Sequence, residues 1–264
     1  MARIRRVVAS VLFHAGRTAD RAARLSSYMA IGTFRLADMR DNIRDSWEDF
    51  HACEAPQAPR LLPWEDMLVE RFVSPGSHVL VIGCGSGRDL VALAERGCQV
   101  TGVEPSDSAI DQAQRLLQER HVPATLVKGF FEDVPVPGAF DAVIFSYYCY
   151  AFIPVSRRRT DALRKAAALL KPGGQVVVSH ASGTSRPRAV LIRIARMVGA
   201  LSGSDWRLEA GDVIWENRRS RPSYSYTHAF APGELEREAA AAGLTTVFQE
   251  ATADGAVVSV FGGS

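Results

Sequence analysis

Three glycines spaced two apart, Gly83, Gly85 and Gly87, follow directly on the apolar run Val79-Leu80-Val81-Ile82 and precede a helical pattern that starts at Arg88. A buried strand that ends in such a turn and feeds a helix N-terminus lets a nucleoside-bearing ligand lie against bare main chain, because glycine has no Cβ to hold it off the N–H groups. The spacing narrows the ligand. A dinucleotide fingerprint wants its third glycine three residues after the second, and this chain has Arg88 there. G-x-G-x-G therefore argues against a pyrophosphate and for a ligand without phosphates. A second run, Cys98 to Val103, closes on Glu104, and an acid at the tip of the second strand of a β-α-β unit can accept both hydroxyls of a ribose.

The elements that must position these residues follow from periodicity. Downstream of the turn Pro75-Gly76, strand and helix patterns alternate: strand 79–82, helix 88–96, strand 98–104, helix 106–120, strands 124–128 and 140–146, helix 156–170 and strand 174–181. Such alternation means crossover units and a parallel sheet. Lys171-Pro-Gly-Gly174 reads as the turn into the last of these strands. From Gly183 to about Tyr226 the pattern breaks into an Arg-rich amphipathic helix (Val190, Leu191, Ile194, Met197) and a polar stretch with Trp206, Trp215, Arg218, Arg219, Arg221, Tyr224 and Tyr226. A helix at 232–242 and a hairpin about Asp254-Gly255 close the chain. Upstream, residues 1 to about 50 read helical, a short helix spans Trp64–Phe72, and the proline-bearing stretch 54–60 reads as a linker.

Taken together, the stretches VLVIGCGSGRD (79–89), VTGVEPS (100–106), GFFEDVP (129–135), FDAVIFSYYCY (140–150) and LRKAAALLKPGGQVVVSH (163–180) resemble the class I S-adenosylmethionine-dependent methyltransferases in their small-molecule branch. The resemblance covers about residues 78–181. It implies a three-layer Rossmann-like sandwich with a mostly parallel seven-stranded sheet and an antiparallel last strand. Residues 1–60 are expected to form a helical cap, and 61–264 the methyltransferase core with a lid inserted at about 183–228.

The same resemblance implies S-adenosylmethionine as cofactor. It puts Gly83, Gly85 and Gly87 under the methionine end, with Cys84 and Ser86 offering main-chain N–H groups to the carboxylate, and Glu104 with Pro105 at the ribose. The third stretch departs from the family, which often places an acid directly after the glycine of this strand end; here Phe130 stands there. One of Phe130 and Phe131 is expected to lie flat on the adenine while Glu132 or main chain does the hydrogen bonding, the alternative being that both rings are ordinary core. Ser146 and the cluster Tyr147, Tyr148 and Tyr150 follow the fourth strand, between cofactor and acceptor. Electron-rich rings there could stabilise a sulfonium by about 0.5–2 kcal/mol.

Methyl transfer is an in-line displacement, and an acidic hydroxyl or amine acceptor also has to lose a proton to a base. His180, at the end of the fifth strand, and His228, before the following helix, are the candidate bases, with Tyr147 as the third catalytic candidate; the alternative for each histidine is a hydrogen-bonded structural role. Arg157-Arg158-Arg159 opens a helix, where the macrodipole disfavours cations, so it reads either as an anion site or as a solvated face. No cysteine pair or histidine spacing points to a metal.

Composition sets the outer limits. With 47% hydrophobic and 23% charged residues the chain can pack a core, and a net charge of +2 gives no reason to expect nucleic acid. Four scattered cysteines suit reduced thiols in a cytoplasmic protein, and the excess of Arg over Lys suits a bacterial coding bias. No apolar run reaches the roughly 18–20 residues that span a bilayer. The first 24 residues carry six Arg and one Asp, a basic amphipathic stretch that either caps the core or lies on an anionic membrane. The expected activity is methyl transfer to an O or N atom of a small molecule. The alternatives are a peripheral membrane methyltransferase acting on lipids or quinones and a cofactor-binding protein without turnover. Oligomeric state is not legible.

Overall fold

A computed structural model describes residues 2–53, 58–182, 185–217, 223–253 and 255–263, with side chains from Leu12 onward. Arg218, Arg219, Arg221, Asp254 and most of the 54–60 linker lie outside the described residues. The chain opens with helices α1 (Ala2–Gly32), α2 (Leu36–Cys53) and α3 (Pro63–Phe72). The alternating region then runs β1 (His78–Ile82), α4 (Arg88–Ala94), β2 (Gln99–Glu104), α5 (Asp107–Glu119), β3 (Ala124–Lys128), β4 (Phe140–Phe145), a 3-10 turn (Ser146–Phe152), α6 (Ser156–Ala168) and β5 (Leu170–Ala181). The remainder is α7 (Ala189–Ser202), β6 (Asp212–Asn217), β7 (Ser223–His228), α8 (Glu234–Ala241), β8 (Leu244–Ala251) and β9 (Ala256–Gly263).

The seven-stranded sheet has the order β3-β2-β1-β4-β5-β9-β8. Strands β1 to β5 pair in parallel, and β9 is antiparallel to both β5 and β8. This is the Rossmann-like sheet with a reversed last strand that the sequence implies. Alternate residues of β1 serve opposite faces: Leu80 and Ile82 join one apolar cluster with Leu163, Ala166 and Leu235, while Val79 and Val81 join another with Leu90, Val91 and Leu93. Burial on both faces is why β1 is an unbroken apolar run rather than an alternating one. The strand order reverses between β1 and β4, which opens a crevice at their C-terminal ends.

Two readings of the sequence need correction. Lys171-Pro-Gly-Gly174 lies inside β5: Leu170 already pairs with Phe140, and the register shifts before Ala142 meets Gln175, so the glycines form an irregularity within the strand. The stretch before His228 is a two-stranded antiparallel ribbon, β6 with β7. Its alternation in Tyr224-Ser225-Tyr226-Thr227-His228 has the strand period of two, and Tyr226 and His228 are buried.

The first helices and the 189–228 region share one apolar cluster. Tyr28 and Ile31 of α1, Met39 and Ile43 of α2, Ile192 and Ala195 of α7, and Ile214 and Tyr226 of the ribbon pack together. Tyr28 adds a hydroxyl bond to the carbonyl of Asp212 at 2.9 Å. Where α1 meets α7 the main chains nearly touch: a Cβ on Gly32 would sit 2.5 Å from the Ala195 carbonyl oxygen.

Candidate active site

The crevice beyond β1, β2 and β4 is a cavity of about 1240 Å³ of atom-free space, counting the part open to solvent. Gly83, Cys84, Gly85, Ser86, Glu104, Pro105, Phe130, Phe131, Glu132, Ser146 and Tyr147 all line it. Gly87 does not. It takes φ +88 at the start of α4, and a Cβ there would lie 3.1 Å from the main chain of Ala113 on α5, so this glycine permits helix packing.

Glu104 is buried at the tip of β2, where Oε2 accepts the Gly85 N–H and Oε1 the Ser106 N–H, each at 3.0 Å. A carboxylate has about four acceptor positions, so two stay available toward the cavity. Burial pushes its pKa up to about 7 against those two N–H groups. Cys84 and Cys149 also face the cavity, and burial followed by the Glu104 charge holds both thiols well above their usual range. They stay neutral, which keeps them poor nucleophiles.

Helix α2 supplies the opposite wall, through residues with no functional signal in the sequence, among them His51, which reads there as a surface or packing residue. Arg40, Ile43, Trp47, Phe50 and His51 recur at helical intervals and all line the cavity. An aromatic stripe at helical spacing reads as core as readily as site. The helix is tied down at both ends. Arg40 lies over the Phe130 ring at 4.4 Å and pairs with Asp133, while Glu48 accepts from Ser106 Oγ at 2.7 Å and from the Ser108 N–H at 3.0 Å, capping α5. Phe130 thus has one face covered by a guanidinium. Phe131 packs edge-on to Phe145 in the core.

The cations of this cavity are already paired among the described residues. Arg88 holds Glu65 at 2.7 Å and Asp89 at 2.6 Å, and Asp89 takes the Ser146 hydroxyl. By contrast, neither His51 nitrogen has a partner among the described residues, although its Cε1 lies 3.3 Å from where a Cβ on Gly85 would be. Gln112 donates to the His51 carbonyl and leaves its Oε1 buried without a partner in the same cavity.

A second cavity lies alongside, lined by Ser46, Tyr148, Trp215, Asn217, Ser225 and Thr227 among others. Ile43, Trp47, Phe50, Tyr147 and Phe152 line both. Tyr147 and Tyr148 take φ +41 and +66, a region that costs non-glycine residues of order 1–3 kcal/mol and clusters at functional sites. Tyr148 is stacked on Trp64 and Tyr147, 6.0 and 5.2 Å between centroids.

The candidate bases are placed elsewhere. His180 lines neither cavity; its ring lies 5.0 Å from Phe230, and burial lowers its pKa. His228 also lines the second cavity, but Nδ1 lies 2.8 Å from Asp212 and Nε2 3.0 Å from Glu234, so both ring nitrogens are already engaged by carboxylates. Glu209, Asp212 and His228 could together hold a cation, yet the Arg159 guanidinium is already bonded to Glu209 at 3.0 Å. The arginine triplet is no anion site either, since Arg158 pairs with Glu132 and Asp133 and Arg159 is fully buried among carboxylates.

Residues 79–174 match the family model described as a methyltransferase domain. The chain is similar to the ubiquinone biosynthesis O-methyltransferase of Chromobacterium violaceum, 31% identical over 179 residues that cover 67% of this chain and 68% of that protein. The chain belongs to the class I S-adenosylmethionine-dependent methyltransferases. Glycine N-methyltransferase of Rattus norvegicus is 33% identical over 119 residues, 40% of this methyltransferase and 41% of that enzyme, so the match spans less than half of that relative. Among solved structures, the CcbJ methyltransferase from Streptomyces caelestis shares the fold with a TM-score of 0.59 at 18% identity, covering 84% of this chain and 96% of that one.

The residues present fit the family's cofactor. The cradle over Gly85 has room that a side chain would take, Glu104 offers acceptors suited to a diol, and the buried Gln112 Oε1 needs a donor. No helix is long and apolar enough to cross a membrane among the described residues.

Proposed function

We propose that this methyltransferase alkylates an oxygen or nitrogen atom of a small molecule held in the second cavity. The observation that carries the proposal is the shared wall: Trp47, Phe50, Tyr147 and Phe152 border both cavities, so a donor in one and an acceptor in the other meet across an aromatic aperture. When bound, S-adenosylmethionine supplies a methyl group on a cationic sulfur, whose departure leaves a neutral thioether. The work of this chain is then to fix the line of approach and exclude water, worth ~7–11 kcal/mol when the geometry is good.

In this reading Glu104 takes the ribose hydroxyls and Phe130, with Gly129, borders the adenine. Cys84, Gly85 and Ser86 border the amino-acid end, and His51 donates to its carboxylate while Gln112 Oε1 accepts from its ammonium. Arg40 and Arg88 are committed elsewhere, and His51 is a donor side chain of this cavity without a hydrogen-bond partner among the described residues. Tyr147, held in a strained turn and bordering both cavities, orients the acceptor. Relatives named for O- and for N-methyl transfer support either acceptor atom.

The direct test incubates the protein with methyl-labelled donor and a cell extract, then separates products by size. Label in low-mass products is expected; label confined to protein or nucleic acid would overturn the reading. Tyr147→Ala is expected to slow transfer by roughly 10²-fold through misalignment, with S-adenosylhomocysteine affinity retained. His51→Ala is expected to weaken S-adenosylhomocysteine about tenfold or more by loss of a charged hydrogen bond. The same variant should bind 5′-methylthioadenosine, which lacks the amino-acid end, as the parent does. Equal losses for the two ligands would dismiss the His51 assignment.

A further inference from the structure

Of the nine large hydrophobic side chains that are well exposed among the described residues, six stand on two helices: Leu12, Phe13 and Met29 on α1, and Val190, Met197 and Leu201 on α7. Every residue from Leu12 to Ala22 is exposed, so this stretch of α1 has no face buried against the described residues. The charges on the same helices are as unusual. Nine arginines between residues 40 and 164 have a carboxylate partner. Arg17, Arg21 and Arg24 on α1, and Arg186, Arg188 and Arg193 at α7, have none among the described residues. Helix α7 contains no acidic residue, and the first 24 residues contain one.

We infer that α1 and α7 form a docking face for an anionic lipid bilayer. The two chemistries are complementary to its two layers: unpaired guanidinium groups meet phosphate headgroups, and Leu, Met and Val side chains enter the acyl boundary beneath them. A second copy of this chain is a poorer occupant, because the face would meet an equally cationic one. A nucleic acid would satisfy the arginines but leave the aliphatic side chains in water, with Phe13 as the one aromatic among the six available to stack on a base.

The face is coupled to the active site through packing. Tyr28 and Ile31 of α1 and Ile192 of α7 share an apolar cluster with Trp47, Phe152 and Tyr226, which line the second cavity. Docking would hold that cavity near the membrane surface, where an acceptor dissolved in lipid is concentrated. Membrane docking itself does not rest on the acceptor reading, and it is measured without cofactor.

The test is co-sedimentation of the full chain with vesicles of phosphatidylcholine alone and of phosphatidylcholine mixed with phosphatidylglycerol. Binding to the mixed vesicles alone is expected, falling as salt screens the charges. Each basic residue near such a surface contributes about fivefold, so Arg186→Glu with Arg193→Glu should weaken binding by roughly 25-fold or more. Met197→Ser with Leu201→Ser should weaken it as well. All four positions are exposed, and unchanged melting and S-adenosylhomocysteine affinity would show that both double variants are folded. Failure to bind the mixed vesicles, or binding by both double variants equal to the parent's, would overturn the proposal. So would a dimer whose interface shields these residues, or displacement of the vesicles by an oligonucleotide.

Discussion

Glu104→Gln is expected to weaken S-adenosylhomocysteine binding by about 1.5–3 kcal/mol, the range for hydrogen bonds to a charged group, and to change two pH profiles. The carboxyl is fully enclosed, and its pKa is pushed up to about 7 by burial, only partly offset by the Ser106 and Gly85 N–H groups. In the unfolded chain the same group titrates near 4.3. The folded state therefore binds this proton more tightly, and the free protein's stability is greatest below the unfolded value. Stability falls as pH rises through the window from about 4.3 to 7 and is level above it, a change of roughly 4 kcal/mol from this group alone. Glutamine carries no such proton, so the slope should vanish in the variant.

With Glu104 at the ribose, as proposed, a bound ligand would reverse the preference. Ribose hydroxyls donate to the ionised form, so affinity for the adenosyl ligand should rise between pH 6 and 8, with release of a proton on binding. Calorimetry in two buffers of different ionisation enthalpy reads that proton directly. A folded Glu104→Gln protein with parental affinity, or a parent whose affinity is flat across this range, would remove Glu104 from the ribose.

How much of this was readable in the residues depends on where each signal lies. The glycine turn and Glu104 are local: a continuous apolar strand, a turn that tolerates positive φ and an acid one strand away are each visible over a few positions. The wall contributed by α2 is not local. Trp47, Phe50 and His51 line the cavity only because residues 36–53 pack on α5 and β7 and close over the crevice, a placement fixed by Glu48 on the start of α5 and by Arg40 on Asp133. His180 and His228 show the opposite error. The place of His180 at a strand end was foreseeable and that of His228 was not, and neither the packing of the His180 ring on Phe230 nor the carboxylates that hold His228 could be read from the residues. The ribbon β6–β7 escaped because its period-two pattern sits in polar, Arg-rich surroundings that read as irregular chain.

Arg159 turns the same lesson into a stability prediction. As the third arginine of an exposed-looking run it resembles surface charge, yet it is 0% exposed and its Nε and Nη2 hold Glu238 at 3.1 and 2.8 Å. Nη2 also holds Glu209 at 3.0 Å, and Glu238 takes the hydroxyls of Tyr150 and Ser156 at 2.7 Å each. Charged groups of α6, α8 and the segment leading into β6 are thereby fastened at one buried point. Arg159→Met fits the space with apolar atoms but leaves Glu238 enclosed without its counter-charge, which typically costs about 3–5 kcal/mol.

Chemical denaturation should show that loss, and adding Glu238→Gln to Arg159→Met should recover much of it, since the orphaned charge rather than the missing side chain is the expense. The recovery is what separates an ion pair from mere packing. If the double variant is as unstable as the sum of the two single changes, the buried charges are not coupled. Because Tyr226, His228 and Asp212 hang from the same group of carboxylates, the single variant should also loosen the floor of the second cavity. Methyl transfer should then fall while S-adenosylhomocysteine affinity holds, a split that global unfolding would not produce.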